Sequence, residues 1–589
     1  MITTALEETW HDDEPVLFLG EWCRLFSRQE QWKEMDTEVL PYHWDNRVKL
    51  YDDYQYLQKF YERLLIDLTA QLNQIHGVEY SLRYWRILIG PWLGYFIQIL
   101  FDRWTSIHDA IDNYELKETI VLTGNEESFI PSNMTHFMSL IVKDDWNHHI
   151  YASILQNFTD LPCVKLERQN IKPVSNSGRS ISFKGKIKQL FVTWYTKCAS
   201  LLTRNHDAFF LTTYLTHFDE IKLQLRMGQV PLLWRAVPAV KINVDKSYRQ
   251  WNVDGKNHSE FETCVRALIS QLMPSIYLEG YSQLTEQIAC LPWPKQPKVI
   301  WTSSSYSTDD VFKAWAAEKV EYGTPLVIGQ HGGGLGTHLL AFYEEHQISI
   351  CDSYFSWGWT KASQPKIKAV GALKGKYPLG VRHTEQNGIL LVTLKMPRMS
   401  CHLFSSTIAG QWLDNFNDQC KFVEELSIPI RDALTVRLKV DDYGWEPILR
   451  WKSRFPGIRL DEGYTKLNDL ISKSRLYIST YNATTFLESF TMNIPTVMYW
   501  NPEHWELCES AVPYFNELKH VGIFHETPES AARHVVAIWD DVDGWWNSAD
   551  VQQALKYFKA RYCNLPNNLL DRVEDALQKV IIDSKELVS

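Results

Sequence analysis

Short runs of β-branched and aliphatic residues alternate with longer amphipathic segments along most of this chain. The short runs are typical of strands and the longer segments of helices, so the pattern predicts α/β layers around parallel sheets. Leu and Tyr at helical spacing from Tyr51 to Gln74 predict a helix there. In the first half of the chain the predicted strands are Val16–Leu19, Thr119–Thr123, Ala208–Leu211, Val299–Trp301, Leu326–Gly329 and Ile348–Ile350. In the second half they are Ile389–Leu394, Leu434–Leu438, Leu476–Ile478 and Thr496–Tyr499.

Two sets of strands imply two domains, since 589 residues are too many for one core. A stretch rich in Gly, Pro and basic residues, from Val370 to His383, lies between them. We predict an N-terminal Rossmann-like domain with helical insertions over residues 1–385, a C-terminal Rossmann-like domain over 386–550 and a helical tail over 551–589. Two such domains in sequence predict an α/β fold of the two-Rossmann-domain kind, in which ligands bind in the cleft at the carboxyl ends of the strands.

Composition narrows the class of protein. A net charge of −11 argues against a nucleic-acid partner, which would need a basic face. The ten cysteines are scattered, with no Cys-x-x-Cys pair and no His cluster at zinc spacing, which indicates reduced thiols in the cytoplasm and no metal site. The amino terminus lacks a basic region followed by an apolar core, so no secretory signal is expected.

Two segments bear on membrane contact. The apolar run from Ile87 to Phe101 is shorter than the roughly 20 residues that span a bilayer, so it predicts a buried helix or, as an alternative, a contact with the membrane surface. The Ser-, Gly- and Lys-rich stretch from Lys172 to Lys188 predicts a surface loop. A peripheral contact with the inner face of the cytoplasmic membrane is therefore left open.

The segment from Leu476 to Glu488 carries the most information. A strand runs into hydroxyl and amide residues, and a helix with apolar Phe486 and Leu487 follows. The first N–H groups of a helix are unpaired and its dipole is positive there, so this turn can receive a phosphate. Glu488 is placed to accept hydrogen bonds from a ribose or sugar hydroxyl. An ordinary capped helix is the alternative. The expected phosphate ligands are Ser479, Thr480, Asn482, Thr484 and Thr485.

A glycine turn follows the predicted strand Leu326–Gly329. The strand delivers Gln330 and His331 into a turn that contains Gly332 and Gly333. Glycines let a ligand approach the backbone, and a His at a strand's carboxyl end can serve as acid, base or phosphate partner. The alternative is a tight turn with a structural His.

Carboxylates near predicted strand ends are candidate catalytic groups. Glu21 follows the first predicted strand directly, where it would stand at the mouth of a site or cap a helix. Glu344, Glu345 and Asp352 flank the predicted strand Ile348–Ile350, or lie on a solvated helix face. Glycosyl transfer uses such a carboxylate as base or nucleophile.

Cations follow two strands of the second set. Arg437 and Lys439 alternate so that they share a face at the end of Leu434–Leu438, where they would suit a diphosphate or a monophosphate–carboxylate donor. Lys395 and Arg398 are further candidates on the same reasoning. A solvated strand edge is the alternative.

Several of these motifs together resemble a family of transferases that was first named from a spirochaete locus and occurs with bacterial O-antigen and surface-polysaccharide genes. The resemblance runs from the opening Thr-Thr-Ala-Leu-Glu-Glu-Thr-Trp to about Trp500. More remotely, the layout is similar to GT-B glycosyltransferases that use CMP-activated keto-sugar acids such as Kdo or nonulosonic acids. The motifs are Phe18-Leu-Gly-Glu-Trp-Cys23, Gln330-His-Gly-Gly, Trp357-Gly-Trp359 and Thr484-Thr-Phe-Leu-Glu488.

The resemblance implies a glycosyltransferase that acts in O-antigen, lipopolysaccharide or capsule assembly. We expect no metal and no cofactor, because the one Asp-x-Asp motif, Asp541-Val-Asp543, follows a helix-like segment rather than a strand. Its partners would be a nucleotide-activated sugar, a CMP-sugar first, bound by the C-terminal domain, and a glycan or lipid-linked glycan acceptor, bound on the side of the N-terminal domain. The expected catalytic residues are Glu21, His331 and one of Glu345 or Asp352. The alternatives are a polyol-phosphate or phosphoryl transferase of similar fold, and a non-catalytic scaffold of a glycan-assembly complex.

Overall fold

The computed structural model describes residues 1–10, 14–124, 126–168, 203–255, 259–374 and 388–586. The predicted loop from Lys172 to Lys188 lies outside these residues, as does most of the predicted connection before Gly388. The strands are β1 (Val16–Phe18), β2 (Thr37–Val39), β3 (Thr119–Thr123), β4 (Cys163–Glu167), β5 (Phe209–Leu211), β6 (Ile300–Thr302), β7 (Leu326–Gly329), β8 (Ser353–Ser356), β9 (Ile367–Ala369), β10 (Gly388–Val392), β11 (Leu434–Arg437), β12 (Arg459–Asp461), β13 (Ser474–Ser479), β14 (Thr496–Tyr499) and β15 (Phe524–His525).

Helices occupy most of the sequence between these strands. The helices of the first half are α1 (Gln29–Glu34), α2 (Arg47–His76), α3 (Leu82–Asn113), α4 (Met134–Leu140), α5 (Asp144–Phe158), α6 (His217–Arg226), α7 (Glu260–Leu272), α8 (Tyr281–Ala289), α9 (Ser305–Thr308), α10 (Asp310–Glu321) and α11 (Phe342–Ile350). Those of the second half are α12 (Gln411–Glu425), α13 (Ile428–Asp432), α14 (Pro447–Arg454), α15 (Leu467–Lys473), α16 (Thr484–Thr491), α17 (Val512–His520), α18 (Pro528–Ile538), α19 (Val542–Trp546), α20 (Ala549–Tyr562) and α21 (Leu569–Glu586).

Two parallel sheets organise the described residues. The N-terminal sheet has the order β5-β6-β7-β8-β9, and the C-terminal sheet has the order β12-β11-β10-β13-β14-β15. The interior strands β7 and β14 are buried along their whole length, which is why they read as continuous apolar runs rather than alternating ones. The α/β class with two Rossmann-like sheets, predicted from the sequence, is confirmed. The domain boundaries drawn above stay a prediction.

The first predicted strand does not join the N-terminal sheet. Strand β1 pairs with β2, and β3 pairs with β4, each pair parallel. Residue Ile2 bridges to Phe18 at the edge of β1, and the backbone N–H of Ile2 donates to the carbonyl of Leu17 at 2.8 Å. Residues near Glu21 therefore follow a strand of this separate layer and not a strand of the N-terminal sheet.

The apolar run from Ile87 to Phe101 forms the middle of α3. Ser81 caps this helix by accepting a hydrogen bond from the N–H of Tyr84. Every residue from Ile87 to Leu100 is buried in the protein core, so this run offers no surface to a membrane. Among the described residues, no helix combines the length and the apolar character needed to cross a bilayer.

One predicted strand is wrong. Residues Ile348–Ile350 are the last turn of α11, and the strand begins at Ser353. Ile348 and Ile350 are both buried, and with only a serine between them they imitate the alternation of a strand. A short apolar run does not distinguish a strand from the buried end of a helix.

The segment from residue 393 to 410, which we call the crossing segment, leaves β10 and packs against the first half of the chain. Arg398 within it binds the carboxylate of Asp144 and the carbonyl of Trp22. The side-chain oxygen of Gln98 accepts a hydrogen bond from the N–H of Leu403 at 2.5 Å. These buried contacts hold the two sheets so that their carboxyl ends border a common space.

A second fastening joins the start of α2 to the second half. The guanidinium of Arg47 binds Glu506 through two nitrogens, at 2.7 and 3.0 Å, and Gln411 at 3.1 Å. Arg47 thus contacts the first residue of α12 and a residue of the segment that precedes α17. Bidentate pairing of this kind adds geometric definition as well as energy.

Candidate active site

A cavity of about 880 Å³ lies where the carboxyl ends of the two sheets meet. Loops that follow β7 of the N-terminal sheet and β10, β11 and β13 of the C-terminal sheet line it. Ligands of open α/β sheets bind at this edge. Of the residues singled out in the sequence, the cavity is lined by His331, Gly333, Glu344, Lys395, Lys439, Asn482, Thr484, Thr485 and Glu488.

The glycine turn and the phosphate-type turn touch each other. The N–H of Gly333 donates to the hydroxyl oxygen of Thr484 at 2.9 Å. A Cβ atom on Gly333 would stand 2.5 Å from the carbonyl oxygen of Ala483, so no other residue fits there without moving the backbone. The turn needs glycine because two backbones approach each other.

The amino end of α16 opens on this cavity. Its preceding residue, Ala483, supplies no side-chain cap, and Thr484 and Thr485 of the first turn line the cavity. The amide nitrogen of Asn482 donates to the hydroxyl of Thr337 at 3.3 Å, whereas its buried Oδ1 has no hydrogen-bond partner among the described residues. Unpaired helix N–H groups and a positive dipole give this end of the cavity a preference for anions.

Lysines line the same cavity. Lys374 forms an ion pair with Glu488 at 3.3 Å, and Lys395 forms one with Asp441 at 2.9 Å. Lys439 lines the cavity without an ion-pair partner among the described side chains. Burial, with the nearby charge of Arg437, lowers the pKa of Lys439. A buried ammonium without a counter-ion is stabilised by an incoming anion.

His331 is uncharged in this setting. Burial, together with the charge of Lys374, lowers its pKa to about 4. Its Nδ1 atom is buried and lacks a hydrogen-bond partner within the described chain, and the ring of Tyr306 lies with its centroid 6.5 Å away. A neutral imidazole can accept a proton at neutral pH.

Gln330, predicted to bind the ligand, serves the fold instead. It is 1% exposed, and its side chain donates to the carbonyl of Gly332 at 2.8 Å. Its Oε1 accepts hydrogen bonds from the N–H of Trp357 at 2.8 Å and from the indole N–H of Trp359 at 2.9 Å. The predicted Trp-Gly-Trp motif is thus the anchor of the glycine turn. Gly332 itself is buried behind the turn, where a Cβ would stand 3.0 Å from the Thr484 hydroxyl.

Three other predicted phosphate ligands are also used internally. Arg437 binds Asp461 and the carbonyls of Gly463 and Thr465, the last two at 2.8 and 2.9 Å. The hydroxyl of Ser479 donates to the carbonyl of Tyr481, two residues on, at 3.2 Å. That of Thr480 donates to the carbonyl of Val392 at 3.0 Å. These side chains satisfy backbone groups and do not line the cavity.

The predicted carboxylates lie elsewhere. Glu21 pairs with Arg24 in the layer of β1 and is not part of the cavity wall. Asp352 lies at the amino end of β8, where its carboxylate accepts the N–H of Leu326 at 2.7 Å and pairs with Arg83 at 2.7 Å. That is the opposite edge of the parallel sheet. The prediction put Asp352 after a strand at Ile348–Ile350, whereas the strand begins at Ser353, directly after Asp352.

Glu344, and not Glu345, is the carboxylate of α11 that lines the cavity. Glu345 lies on the exposed side of α11, in a hydrogen bond with Tyr54. Glu344 is 2% exposed, accepts the N–H of Gly336 at 2.5 Å and pairs with Lys361 at 2.6 Å. Glu344 therefore holds the glycine turn. Neighbouring residues of a helix point in different directions, so the helical spacing of α11 could have shown that only one of the two glutamates faces the cavity.

Several lining residues went unnoticed in the sequence. The hydroxyl-rich stretch from Thr302 to Thr308 follows β6 and contributes Ser304, Tyr306 and Ser307. Its place after a buried strand was a usable signal. Tyr343 of α11 and His402 of the crossing segment had no such signal, because long-range packing brings them to the cavity.

The described residues include no group of three or more His, Cys, Asp or Glu side chains placed to hold a metal ion.

Comparison with known proteins gives one family and several structures. The model of the LIC12162 family transferase matches residues 1–577. No curated protein matches. The wall teichoic acid polymerase TagF has 12% identity and a TM-score of 0.29, with 68% of this chain and 99% of that one covered. MurG from Acinetobacter baumannii has 13% identity and a TM-score of 0.33, with 64% and 99% covered. WaaG, a glycosyltransferase involved in lipopolysaccharide biosynthesis, has 10% identity and a TM-score of 0.29, with 63% and 99% covered.

Proposed function

Because this chain belongs to the LIC12162 family of transferases, we propose that it transfers a sugar from a nucleotide-activated donor to a glycan acceptor. The observation that carries the proposal is the cavity at the joined carboxyl ends of two parallel sheets, with a helix amino end and lysines on one wall. Assembly of a bacterial surface polysaccharide such as O-antigen or capsule, the role that the family resemblance implies, is part of the proposal.

The donor nucleotide would lie against the C-terminal sheet. Its phosphate would accept hydrogen bonds from the first N–H groups of α16, with Lys439 as the nearby cation and Lys374 as a second. Glu488 would accept a hydrogen bond from the ribose while its pair with Lys374 fixes its position. Donors and dipoles aimed at the leaving phosphate stabilise charge that develops as the sugar departs.

The acceptor hydroxyl would be activated by His331. As its oxygen forms the bond to the anomeric carbon, its proton passes to the imidazole. The bond from that carbon to the phosphate oxygen breaks at the same time, and its electron pair leaves with the nucleotide. A direct displacement of this kind inverts the anomeric configuration. His331 can take the proton because burial keeps it neutral.

The identity of the donor is the part of the proposal that calorimetry tests. We propose a CMP-activated keto-sugar acid first, on the resemblance, and expect CMP to bind more tightly than UDP or GDP. Lys439→Met should weaken binding tenfold or more, since a charge-assisted hydrogen bond is worth about 1.5–3 kcal/mol. The matched control is Lys473→Met, at an exposed lysine of α15.

The results divide cleanly. If only UDP or GDP gives a heat of binding, the proposed donor carries that nucleotide and not CMP. If none of the three nucleotides binds the folded protein, the glycosyltransferase proposal fails. Product analysis by phosphorus and proton NMR then separates the reactions, because a polyol-phosphate transferase would leave phosphate in the product linkage and a glycosyltransferase would not.

A further inference from the structure

The cavity has a second wall of different chemistry. Hydroxyl groups and aromatic rings from the N-terminal sheet and the crossing segment line it, and we call it the hydroxyl–aromatic wall: Ser304, Tyr306, Ser307, Tyr343, His402 and Phe404. Lys374, which also comes from the N-terminal half and lines the same cavity, is paired with Glu488 at 3.3 Å. Next to the wall, the carboxylate of Glu344 is already neutralised by Lys361 at 2.6 Å.

Two rings of this wall form a corner. The rings of Tyr343 and His402 lie with centroids 5.3 Å apart and planes at 78° to each other. The hydroxyl of Tyr343 donates to that of Tyr95 at 2.5 Å, and His402 stacks on Phe404 at 4.7 Å and 14°. Both rings are held by neighbours and half-buried, so the corner is formed before any ligand arrives. An aromatic face receives the C–H face of a sugar ring.

Two polar side chains that line the same cavity have unused hydrogen-bonding capacity. The ring nitrogens of His402 have no hydrogen-bond partner among the described residues, and its burial lowers its pKa to about 4. A neutral imidazole offers one donor and one acceptor. The half-buried hydroxyl of Ser304 likewise has no partner within the described chain. Sugar hydroxyls, which both donate and accept, are complementary to such groups.

Charge excludes one class of acceptor. A carboxylate or phosphate on the acceptor sugar would be desolvated against the wall without a cation to pair with it. Of the lysines that line the cavity, Lys374 is paired with Glu488 at 3.3 Å and Lys395 with Asp441 at 2.9 Å, while Lys439 follows β11 of the C-terminal sheet, against which the donor is proposed to lie. An uncharged sugar ring carries no charge to be desolvated, so it does not bear this energetic cost.

We propose that the hydroxyl–aromatic wall is the acceptor subsite and that it selects an uncharged pyranoside. Tyr343 and His402 contact the ring, and Ser304 and the His402 imidazole bind its hydroxyls. This inference rests on the proposed function, because it takes the cavity to be the place of glycosyl transfer.

Saturation-transfer NMR on the full chain, with CMP present, tests the subsite. The probes are methyl glycosides of glucose, galactose, mannose and rhamnose, set against methyl glucuronide and glucose 6-phosphate. We expect at least one neutral glycoside to bind, and each anionic sugar to bind at least tenfold more weakly. Tyr343→Ala should abolish the signal, while Tyr343→Phe, which keeps the ring, should retain it. Equal or tighter binding of the anionic sugars, or no binding of any neutral glycoside, would overturn the inference.

A second variant reverses the charge selection. Ser304→Lys places a cation on the wall and should raise the affinity for methyl glucuronide relative to methyl glucoside at least tenfold. An unchanged ratio in a variant that melts like the parent counts against the subsite. Calorimetry of CMP on the same samples separates the two proposals. If the parent protein does not bind CMP, the proposed donor site fails. If it binds CMP but shows the wrong sugar preference, only the acceptor subsite fails.

Discussion

The backbone N–H of Gly333 and the side-chain oxygen of Thr484 are joined by a hydrogen bond of 2.9 Å. Gly333 belongs to the turn after β7 and Thr484 is the first residue of α16, so this bond connects the two sheets at the candidate site. A shift of either turn would move His331 relative to the amino end of α16. The geometry of catalysis would therefore depend on a contact that reaches across the cleft.

Replacement of Thr484 by Val should weaken nucleotide binding about tenfold. Valine keeps the shape but leaves the N–H of Gly333 unpaired, at a cost of about 1–2 kcal/mol. Calorimetry with the tightest-binding nucleotide gives the affinity. Thr491→Val, at the other end of the same helix, is the control and should bind as the parent does. Equal affinities for the two variants would contradict the role given to Thr484.

As pH rises, nucleotide affinity should fall at a lower pH than the pKa of an ordinary lysine would predict. Burial lowers the pKa of Lys439 below its usual value of 10.5, and the deprotonated amine attracts no phosphate. Affinity is thus fully present at low pH and is lost as pH rises through the lowered pKa. Calorimetry between about pH 7 and 10 follows this loss. Lys439→Arg should flatten the profile, because a guanidinium stays charged throughout; an identical decline in that variant would assign the effect to another group.

Gln330→Met should destabilise the fold by about 2–4 kcal/mol, because hydrogen bonds with Trp357, Trp359 and Gly332 are lost from a buried site. Urea unfolding measures the change in the free energy of unfolding. Gln55→Met, at an exposed position of α2, is the matched control and should change stability by less than about 0.5 kcal/mol. A Gln330 variant of parental stability with impaired nucleotide binding would restore the ligand-binding role predicted from the sequence.

Two of the three strands whose bounds were predicted without error, β7 and β14, are buried on both faces. Thr119–Thr123, Leu326–Gly329 and Thr496–Tyr499 were predicted to the residue. The site was harder to predict because polar residue types do not reveal their partners. Ser479 and Arg437 have the chemistry of phosphate ligands, yet each donates hydrogen bonds to nearby backbone carbonyls instead. Only the three-dimensional arrangement shows which polar atoms remain available.

Glu220 should make stability depend on pH. Burial raises its pKa from 4.5 to about 7, against a hydrogen bond of 2.6 Å from the hydroxyl of Thr213. Below pH 4.5 the carboxyl is protonated in both states; as pH rises from 4.5 to 7 the unfolded chain releases the proton first, so stability falls by up to about 3 kcal/mol. Glu220→Gln should remove this loss. Urea unfolding at several pH values measures it.

Glu260→Gln, at an exposed residue of α7, serves as the comparison for that series. It should follow the parent at every pH. If the Glu220 variant and the Glu260 variant lose stability in parallel between pH 4.5 and 7, the carboxyl of Glu220 is not the group responsible.

The crossing segment bears on how substrates come and go. Arg398 is held by Asp144 and Trp22, and Arg47 by Glu506, so wide hinge rotation would strip charged groups of their partners. Substrates and products would then enter and leave the cleft through rearrangement of side chains at its rim. Small-angle scattering curves recorded with and without nucleotide should accordingly superimpose.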